Sequence, residues 1–103
     1  MIYYVDIDGT ICNEVLNDDG SKDYARHIPI FSRIDQVNDL YDQGHRIVYW
    51  TARGATSGID WTELTRKQLF DWNVKHHELR VGDKPHYDVW VDDKANWIFN
   101  DRT

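Results

Sequence analysis

The stretch Ile2-Tyr3-Tyr4-Val5-Asp6-Ile7-Asp8-Gly9-Thr10 decides the fold of this chain. Its first six residues are mostly β-branched or aromatic, which is typical of a β-strand, and Asp8-Gly9 is a turn signal. Because the strand runs straight into the turn, two carboxylates, Asp6 and Asp8, stand at its carboxyl end. We therefore expect a strand over residues 2–7 that carries polar chemistry where it ends.

Three further strands are predicted from apolar segments at 46–50, 79–81 and 89–91. Amphipathic segments separate them, so the sheet is expected to be parallel and covered by helices on both faces. The fold class expected is α/β, a small three-layer, Rossmann-like single domain over residues 1–103. Residues from about 11 to 28 are polar around a turn signal, Asp18-Asp19-Gly20, and their flanking runs predict a flap-like hairpin.

Capping residues predict where the helices begin and end. Ser32 is expected to cap a first helix that ends at Gly44. Asp60, with Glu63 three residues later, resembles a capping box at the start of a second helix. A third helix is predicted from Lys94 to Asn100.

Composition argues against several classes of function. The chain has 103 residues, with 12 Lys and Arg against 18 Asp and Glu, for a formal net charge of −6. This balance argues against broad electrostatic binding to nucleic acid or to an anionic membrane. The single cysteine, Cys12, excludes an internal disulfide and fits a reducing compartment.

The same data predict where the protein is located and whether it assembles. No apolar run is long enough to cross a bilayer and no signal peptide is visible, so a cytoplasmic protein is expected. A domain of this size buries only about two thirds of its unfolded surface. A homo-oligomer would add stability and is therefore one expectation.

A polar cluster follows each predicted strand. The clusters are Asp6-Ile7-Asp8, Thr51-Ala52-Arg53, Gly82-Asp83-Lys84 and Asp92-Asp93. In parallel sheets the carboxyl ends of the strands share one edge, and ligands bind outside that edge. We therefore expect the four clusters to converge on one site.

The carboxylates of this site predict a bound cation. Asp6, Asp8, Asp92 and Asp93 would repel one another at close range unless a cation or a shared proton relieves them. Ligand sets made only of oxygen favour hard ions, of which Mg²⁺ is the expected one.

The remaining residues of the clusters suit a phosphate group. Lys84 offers a fixed positive charge and Thr51 a hydroxyl donor. Gly9 lets the backbone approach a ligand closely, and Thr10 adds amide and hydroxyl contacts. Phosphoryl transfer, in which positioning and charge neutralisation supply most of the catalysis, is the chemistry that these residues indicate.

The same residues resemble the motifs of the haloacid dehalogenase superfamily of phosphotransferases. Asp6-Ile7-Asp8-Gly9-Thr10 resembles the Asp-x-Asp-Gly-Thr signature of the first motif. Thr51 is similar to the second motif, Lys84 to the third and Asp92-Asp93 to the acidic fourth. The motifs follow in the family's order, and the resemblance covers nearly the whole chain.

The resemblance implies a role for each matching residue. Asp6 would be the nucleophile that forms an aspartyl-phosphate, and Asp8 the general acid and base. Mg²⁺ would be held by the Asp6 side chain, the Asp8 backbone carbonyl and an acid of the fourth motif, either Asp93 with Asp92 behind it or the reverse. The phosphate-binding set implied is Gly9, Thr10, Thr51, Ala52, Arg53 and Lys84. For Arg53, contact with substrate and structural pairing with a nearby acid are both open.

The resemblance also bears on substrate and architecture. Neither gap between the motifs holds a folded cap domain, so the chain resembles a capless member with an open site. Phosphosugars or related small phosphate esters are the expected substrates of a Mg²⁺-dependent phosphomonoester hydrolase. Thr51-Ala52-Arg53-Gly54 is also similar to the second motif of polynucleotide 3′-phosphatases, which keeps that activity as the alternative.

Other functions and residues are weighed against this hypothesis. A phosphorelay receiver has similar residue types, but its adjacent acid pair follows the first strand, whereas here it comes last. A catalytically silent phosphate-binding domain and a phosphomutase are further alternatives. Cys12 is expected to be a buried small side chain with no histidine at a suggestive spacing, and His27 lacks the spacing of a metal ligand.

Overall fold

The part of the chain that the structure describes holds six strands, two α-helices and one 3₁₀ turn. The structure, a computed structural model, describes residues 1–82, 89–91 and 98–99. The elements in chain order are β1 (Ile2–Asp6), β2 (Cys12–Asn13), a 3₁₀ turn (Tyr24–Arg26), β3 (Ile28–Pro29), α1 (Phe31–Asp42), β4 (Arg46–Thr51), α2 (Thr62–Asp71), β5 (Glu78–Val81) and β6 (Val89–Val91). Four strands form one sheet in the order β5-β4-β1-β6, with every neighbouring pair parallel. The predicted α/β class with a parallel sheet is confirmed.

The main core lies between the sheet and the two helices. Val5 of β1, together with Ile47 and Tyr49 of β4, is fully buried in one cluster. Ile34 of α1 and Leu69 of α2 pack into the same cluster. Burying one such side chain contributes about 1.5–3 kcal/mol relative to leaving it exposed. This packing fixes β1 and β4 side by side, with their carboxyl ends at one edge.

The two helices that the structure describes pack against the same face of the sheet, so cover on both faces is not seen among the described residues. Strands β1, β4 and β5 follow one another in the chain and lie side by side in the sheet. Right-handed crossovers that keep moving in one direction place their helices on the same face. The opposite face carries a smaller cluster made of Ile2, Tyr4, Val48 and Trp50. Of the helix predicted over 94–100, residues 98 and 99 are not helical and the others lie outside the described residues.

The helix starts also differ from the predictions. Helix α1 begins at Phe31, and Ser32 lies inside its first turn and does not cap it. The reason is that the Ile30 amide donates to the carbonyl of Ile11 at 2.8 Å, which sets where the chain enters the helix. At α2, the Asp60 carboxylate accepts a hydrogen bond from the Thr62 amide at 2.9 Å, but the reciprocal half of a capping box is not formed.

A two-stranded sheet stands at the carboxyl edge of the main sheet. Strands β2 and β3 pair antiparallel, with Asn13 opposite Ile28. A further antiparallel bridge joins Leu16 to Lys22, and the turn between them is closed by the Asn17 carbonyl, which accepts from the Gly20 amide at 3.0 Å. We call residues 11–29 the flap. No helix among the described residues is long and apolar enough to cross a membrane.

Candidate active site

The turn after β1 fixes the first two carboxylates. Asp6 is the last residue of β1, and its Oδ1 accepts a hydrogen bond from the Ile7 amide at 2.8 Å. Gly9 has a φ of +78°, a conformation that side chains other than glycine rarely adopt, and its amide donates to the Cys12 carbonyl at 3.0 Å. The turn therefore holds Asp6 and Asp8 at the carboxyl edge of the sheet.

The end of β4 supplies the next group of predicted residues. Thr51 is almost fully buried, and its Oγ1 accepts a hydrogen bond from the Arg53 amide at 3.1 Å. A hydroxyl that accepts in this way still has its own proton to donate. Ala52 lies between them and contributes to the wall of the same cavity.

Arg53 is the most heavily bonded side chain at this edge, and it is completely buried. Its Nη2 lies 2.8 Å from Asp8 Oδ1, and its Nε lies 3.1 Å from Asp8 Oδ2. Its Nη1 donates to Gln68 Oε1 at 2.6 Å and to Thr65 Oγ1 at 3.1 Å on α2. The guanidinium also lies 4.7 Å from the centre of the Tyr24 ring. Of the two roles left open for Arg53, the structure shows the pairing with a nearby acid.

His27 belongs to the same buried group, although its spacing in the sequence gave no indication of a site. Its ring is fully buried, and its Nδ1 lies 2.9 Å from Asp8 Oδ1. Cys12 Sγ lies 3.9 Å from that same nitrogen, a contact that the spacing of the two residues in the sequence did not indicate, while the predicted burial of Cys12 is confirmed. Because Cys12 pairs with Pro29 in the flap, His27, two positions before Pro29, lies diagonally across from Cys12. The predicted hairpin was the one signal in the sequence that could have indicated this contact.

The neighbours of Asp8 set its charge. Burial raises the pKa of the Asp8 carboxyl, but hydrogen bonds and charge from Arg53, with a smaller contribution from His27, outweigh burial and lower the pKa below its ordinary value. Asp8 is therefore a carboxylate at neutral pH. Since an ionised carboxylate can only accept, His27 must donate from Nδ1 to Asp8.

Cys12 is inert in this setting. Its side chain is fully buried, and burial, reinforced by the charge of Asp8, raises the pKa of the Cys12 thiol to about 12. Asp8, Cys12 and His27 offer three potential ligand atoms within 4.8 Å of one another. A soft metal ion would need the thiolate and would have to displace Arg53 from Asp8, so we interpret the cluster as a hydrogen-bonded one.

A cavity of about 500 Å³ opens at the carboxyl ends of β1 and β4. Its walls are formed by Asp6, Asp8, Glu14, Lys22, Tyr24, Thr51, Ala52, Arg53 and Thr56. The structure thus brings together five of the predicted site residues, Asp6, Asp8, Thr51, Ala52 and Arg53. Gly9 and Thr10 form the turn behind Asp8 and do not line the cavity. Lys84, Asp92 and Asp93 lie outside the described residues.

The flap supplies lining residues that sequence reasoning missed. Lys22 Nζ lies 3.1 Å from Glu14 Oε1 at the mouth of the cavity, and both side chains are partly exposed. The hydrogen bond to Glu14 raises the pKa of Lys22, which keeps its positive charge. Tyr24 is held deeper, because its carbonyl accepts a hydrogen bond from Gln68 Nε2 at 2.5 Å. Only the pairing of the flap strands places these residues above Asp6 and Asp8.

Comparison with known proteins supports the fold. No protein-family model and no curated protein matches the chain. A crystal structure of a structural-genomics target from Vibrio cholerae is similar, with a TM-score of 0.66 and 23% sequence identity over 96% of this chain and 80% of that one. At this level of identity the likeness shows a shared fold.

Proposed function

We propose that the protein is a Mg²⁺-dependent phosphomonoester hydrolase that acts through an aspartyl-phosphate on Asp6. The observation that carries the proposal is the cavity into which β1 and β4 bring Asp6, Asp8 and Thr51. A nucleophile, an acid–base group and a hydroxyl donor on one wall are what phosphoryl transfer requires. The resemblance to the haloacid dehalogenase superfamily assigns the same three residues these roles.

The first half of the reaction transfers the phosphoryl group to the protein. A carboxylate oxygen of Asp6 attacks phosphorus, the bond from phosphorus to the leaving oxygen breaks, and Asp8 gives that oxygen a proton. Asp8 must therefore be protonated when substrate is bound, although it is ionised in the structure. The negative charge of an entering phosphate raises the pKa of a neighbouring carboxyl, so substrate binding favours the protonated form of Asp8.

The second half returns Asp6 to its starting state. Asp8, now a carboxylate again, takes a proton from water, and the water oxygen attacks phosphorus. The bond between phosphorus and the Asp6 oxygen breaks, and inorganic phosphate leaves. The bonds from Arg53 and His27 stabilise the ionised form of Asp8 that this step uses. They also hold its carboxylate against the cavity, so these two residues act as positioning groups.

The donor set fits Mg²⁺. The Asp6 carboxylate and the Asp8 backbone carbonyl are hard oxygen ligands at the same edge of the sheet, and Asp93 or Asp92 would complete the set. When bound, the ion would supply charge neutralisation between Asp6 and the incoming phosphate. Thr51 would donate its hydroxyl proton to a phosphate oxygen.

Phosphate release from a panel of phosphomonoesters, measured with and without Mg²⁺, tests the proposal. We expect turnover by the wild type with Mg²⁺ and none by Asp6→Asn. Asp35→Asn is the matched control, because Asp35 is an exposed carboxylate on α1 and should keep full activity. Borohydride reduction of acid-quenched reactions should convert phosphorylated Asp6 to homoserine, which mass spectrometry detects.

The outcomes separate the alternatives. Activity that survives Asp6→Asn would refute the nucleophile. A folded wild type that hydrolyses nothing would favour a catalytically silent phosphate-binding domain. Preference for oligonucleotides with a 3′-phosphate would favour the polynucleotide 3′-phosphatase alternative.

A further inference from the structure

A second cavity, of about 380 Å³, adjoins the first. Lys22 and Tyr24 line both, so the two cavities are neighbours that share these side chains. The phosphoryl group must lie against Asp6 and Asp8 in the first cavity. The remainder of a phosphate ester longer than a few atoms can then extend past Tyr24 into the second.

One wall of the second cavity is apolar. The rings of Tyr24 and Trp61 meet edge to face, with their centres 5.2 Å apart. Beside them Ile59 is 55% exposed, so a large aliphatic side chain faces solvent at the rim of the cavity. Exposed apolar groups that line a concave surface are a typical feature of ligand sites.

The other residues that line the second cavity are polar but nearly uncharged. Asn17 and Ser21, at the tip of the flap, provide an amide and a hydroxyl, and Nδ2 of Asn17 lies 3.0 Å from Oγ of Ser21. Ser57 provides a further hydroxyl. Among the described residues, Lys22 is the one charged side chain of this cavity, and its charge is paired with Glu14 at 3.1 Å.

We propose that the second cavity binds the leaving group of the substrate and that this group is a neutral, polyhydroxylated ring such as a sugar. The inference rests on the proposed function. A sugar ring has C–H groups that pack on the Tyr24–Trp61–Ile59 wall and hydroxyl groups that bond to amide and hydroxyl side chains. An oligonucleotide would bring further phosphates, each of which favours an unpaired cation, and the described residues of this cavity offer none.

Substrate pairs of different length test this subsite. Methyl phosphate has almost no leaving group, whereas the ring of a hexose phosphate would occupy the second cavity on this proposal, so the two substrates report on different parts of the site. We expect Ile59→Asp to lower kcat/KM for a hexose phosphate by about tenfold or more, since apolar pocket contacts are worth about 10–200-fold in discrimination. The value for methyl phosphate should not change.

Two further variants complete the design. Phe70→Ser is the matched control, because Phe70 is an apolar side chain that is 83% exposed and lines neither cavity. It should leave both substrates unaffected. Trp61→Phe keeps an aromatic wall and should retain most of the activity on the hexose phosphate.

The results separate the two proposals. Equal effects of Ile59→Asp on both substrates, no effect on either, or better turnover of nucleotides than of hexose phosphates would overturn the subsite and leave the proposed function standing. No hydrolysis of any ester, methyl phosphate included, would overturn the proposed function and the subsite with it.

Discussion

Removing the buried cation Arg53 should cost a large part of the stability of the domain. Its side chain is fully buried, and that of Asp8, its partner at 2.8 Å, is 12% exposed. Removal of one partner leaves the other charge buried without compensation, which costs about 3–5 kcal/mol. The total free energy of unfolding of a domain of this kind is about 5–15 kcal/mol. Arg53→Met should therefore lower the free energy of unfolding by about 3–5 kcal/mol.

Urea unfolding at pH 7, followed by tryptophan fluorescence, measures this loss. Arg66→Met is the matched control, because Arg66 is an exposed arginine on α2 and should change stability by no more than about 0.5 kcal/mol. Combining Arg53→Met with Asp8→Asn removes both charges. The double variant should be more stable than the sum of the single effects predicts, by about 1 kcal/mol or more. Where Arg53→Met proves too unstable, Arg53→Lys retains the charge and should lose less.

The same pair predicts a dependence on pH. The folded-state pKa of Asp8 lies below the ordinary value near 3.8. A lowered pKa contributes stability that is fully present above the unfolded-state pKa and is lost as pH falls through the folded-state pKa. The difference in stability between the wild type and Arg53→Met should therefore shrink as the pH falls below about 4. Two results would refute this interpretation of the Arg53–Asp8 pair. One is a loss of less than about 1 kcal/mol in the free energy of unfolding of Arg53→Met at pH 7. The other is a double variant whose loss equals the sum of the two single losses.

Further predictions concern packing, backbone and thiol chemistry. Leu69→Ala should lower the free energy of unfolding in urea by about 2–5 kcal/mol, because Leu69 is fully buried. Phe70→Ala, at a neighbouring side chain that is 83% exposed, should change the same free energy by no more than about 0.5 kcal/mol. Similar losses in the two variants would contradict the orientation of α2. Gly54→Ala should lower the Tm much more than Gly58→Ala. Both glycines have positive φ, but a Cβ at Gly54 would collide with a backbone carbonyl oxygen, while one at Gly58 meets open space; equal shifts would contradict this loop. Cys12, with a thiol pKa of about 12 and no exposed surface, should react with Ellman's reagent at pH 8 only after denaturation; rapid reaction of the native protein would show that the flap opens.

The sequence was sufficient to place the residues whose positions follow from strand ends. Hydrophobic segments predicted β1 and β4, and parallel strands necessarily bring their carboxyl ends to one edge. For that reason Asp6, Asp8 and Thr51 could be assigned to one site before any coordinates. The same reasoning could not say which face the helices cover, because that depends on the order of strands in the sheet.

Residues whose positions depend on strand register could not be predicted in the same way. His27 contacts Asp8 across 19 positions of sequence, and the contact exists because Asn13 pairs with Ile28. A shift of one residue in that pairing would turn the side chains of the flap to the opposite face. Ser32 was misassigned as a cap for a similar reason, since a tertiary hydrogen bond to Ile30 fixes where α1 begins.

The division of the site between strand ends and flap says where specificity should reside. The strand ends supply Asp6, Asp8 and Thr51, groups that on the proposed function would act on a phosphate whatever it is attached to. The flap supplies Lys22 and Tyr24, which line both cavities and, on the proposed function, would face the part of a substrate that varies. The flap is held to the rest of the domain by Gln68 and Arg53, which contact Tyr24, and by the bond from His27 to Asp8. Changes at the tip of the flap should therefore alter the choice of leaving group, whereas changes at its buried base should alter the chemistry of Asp8 itself.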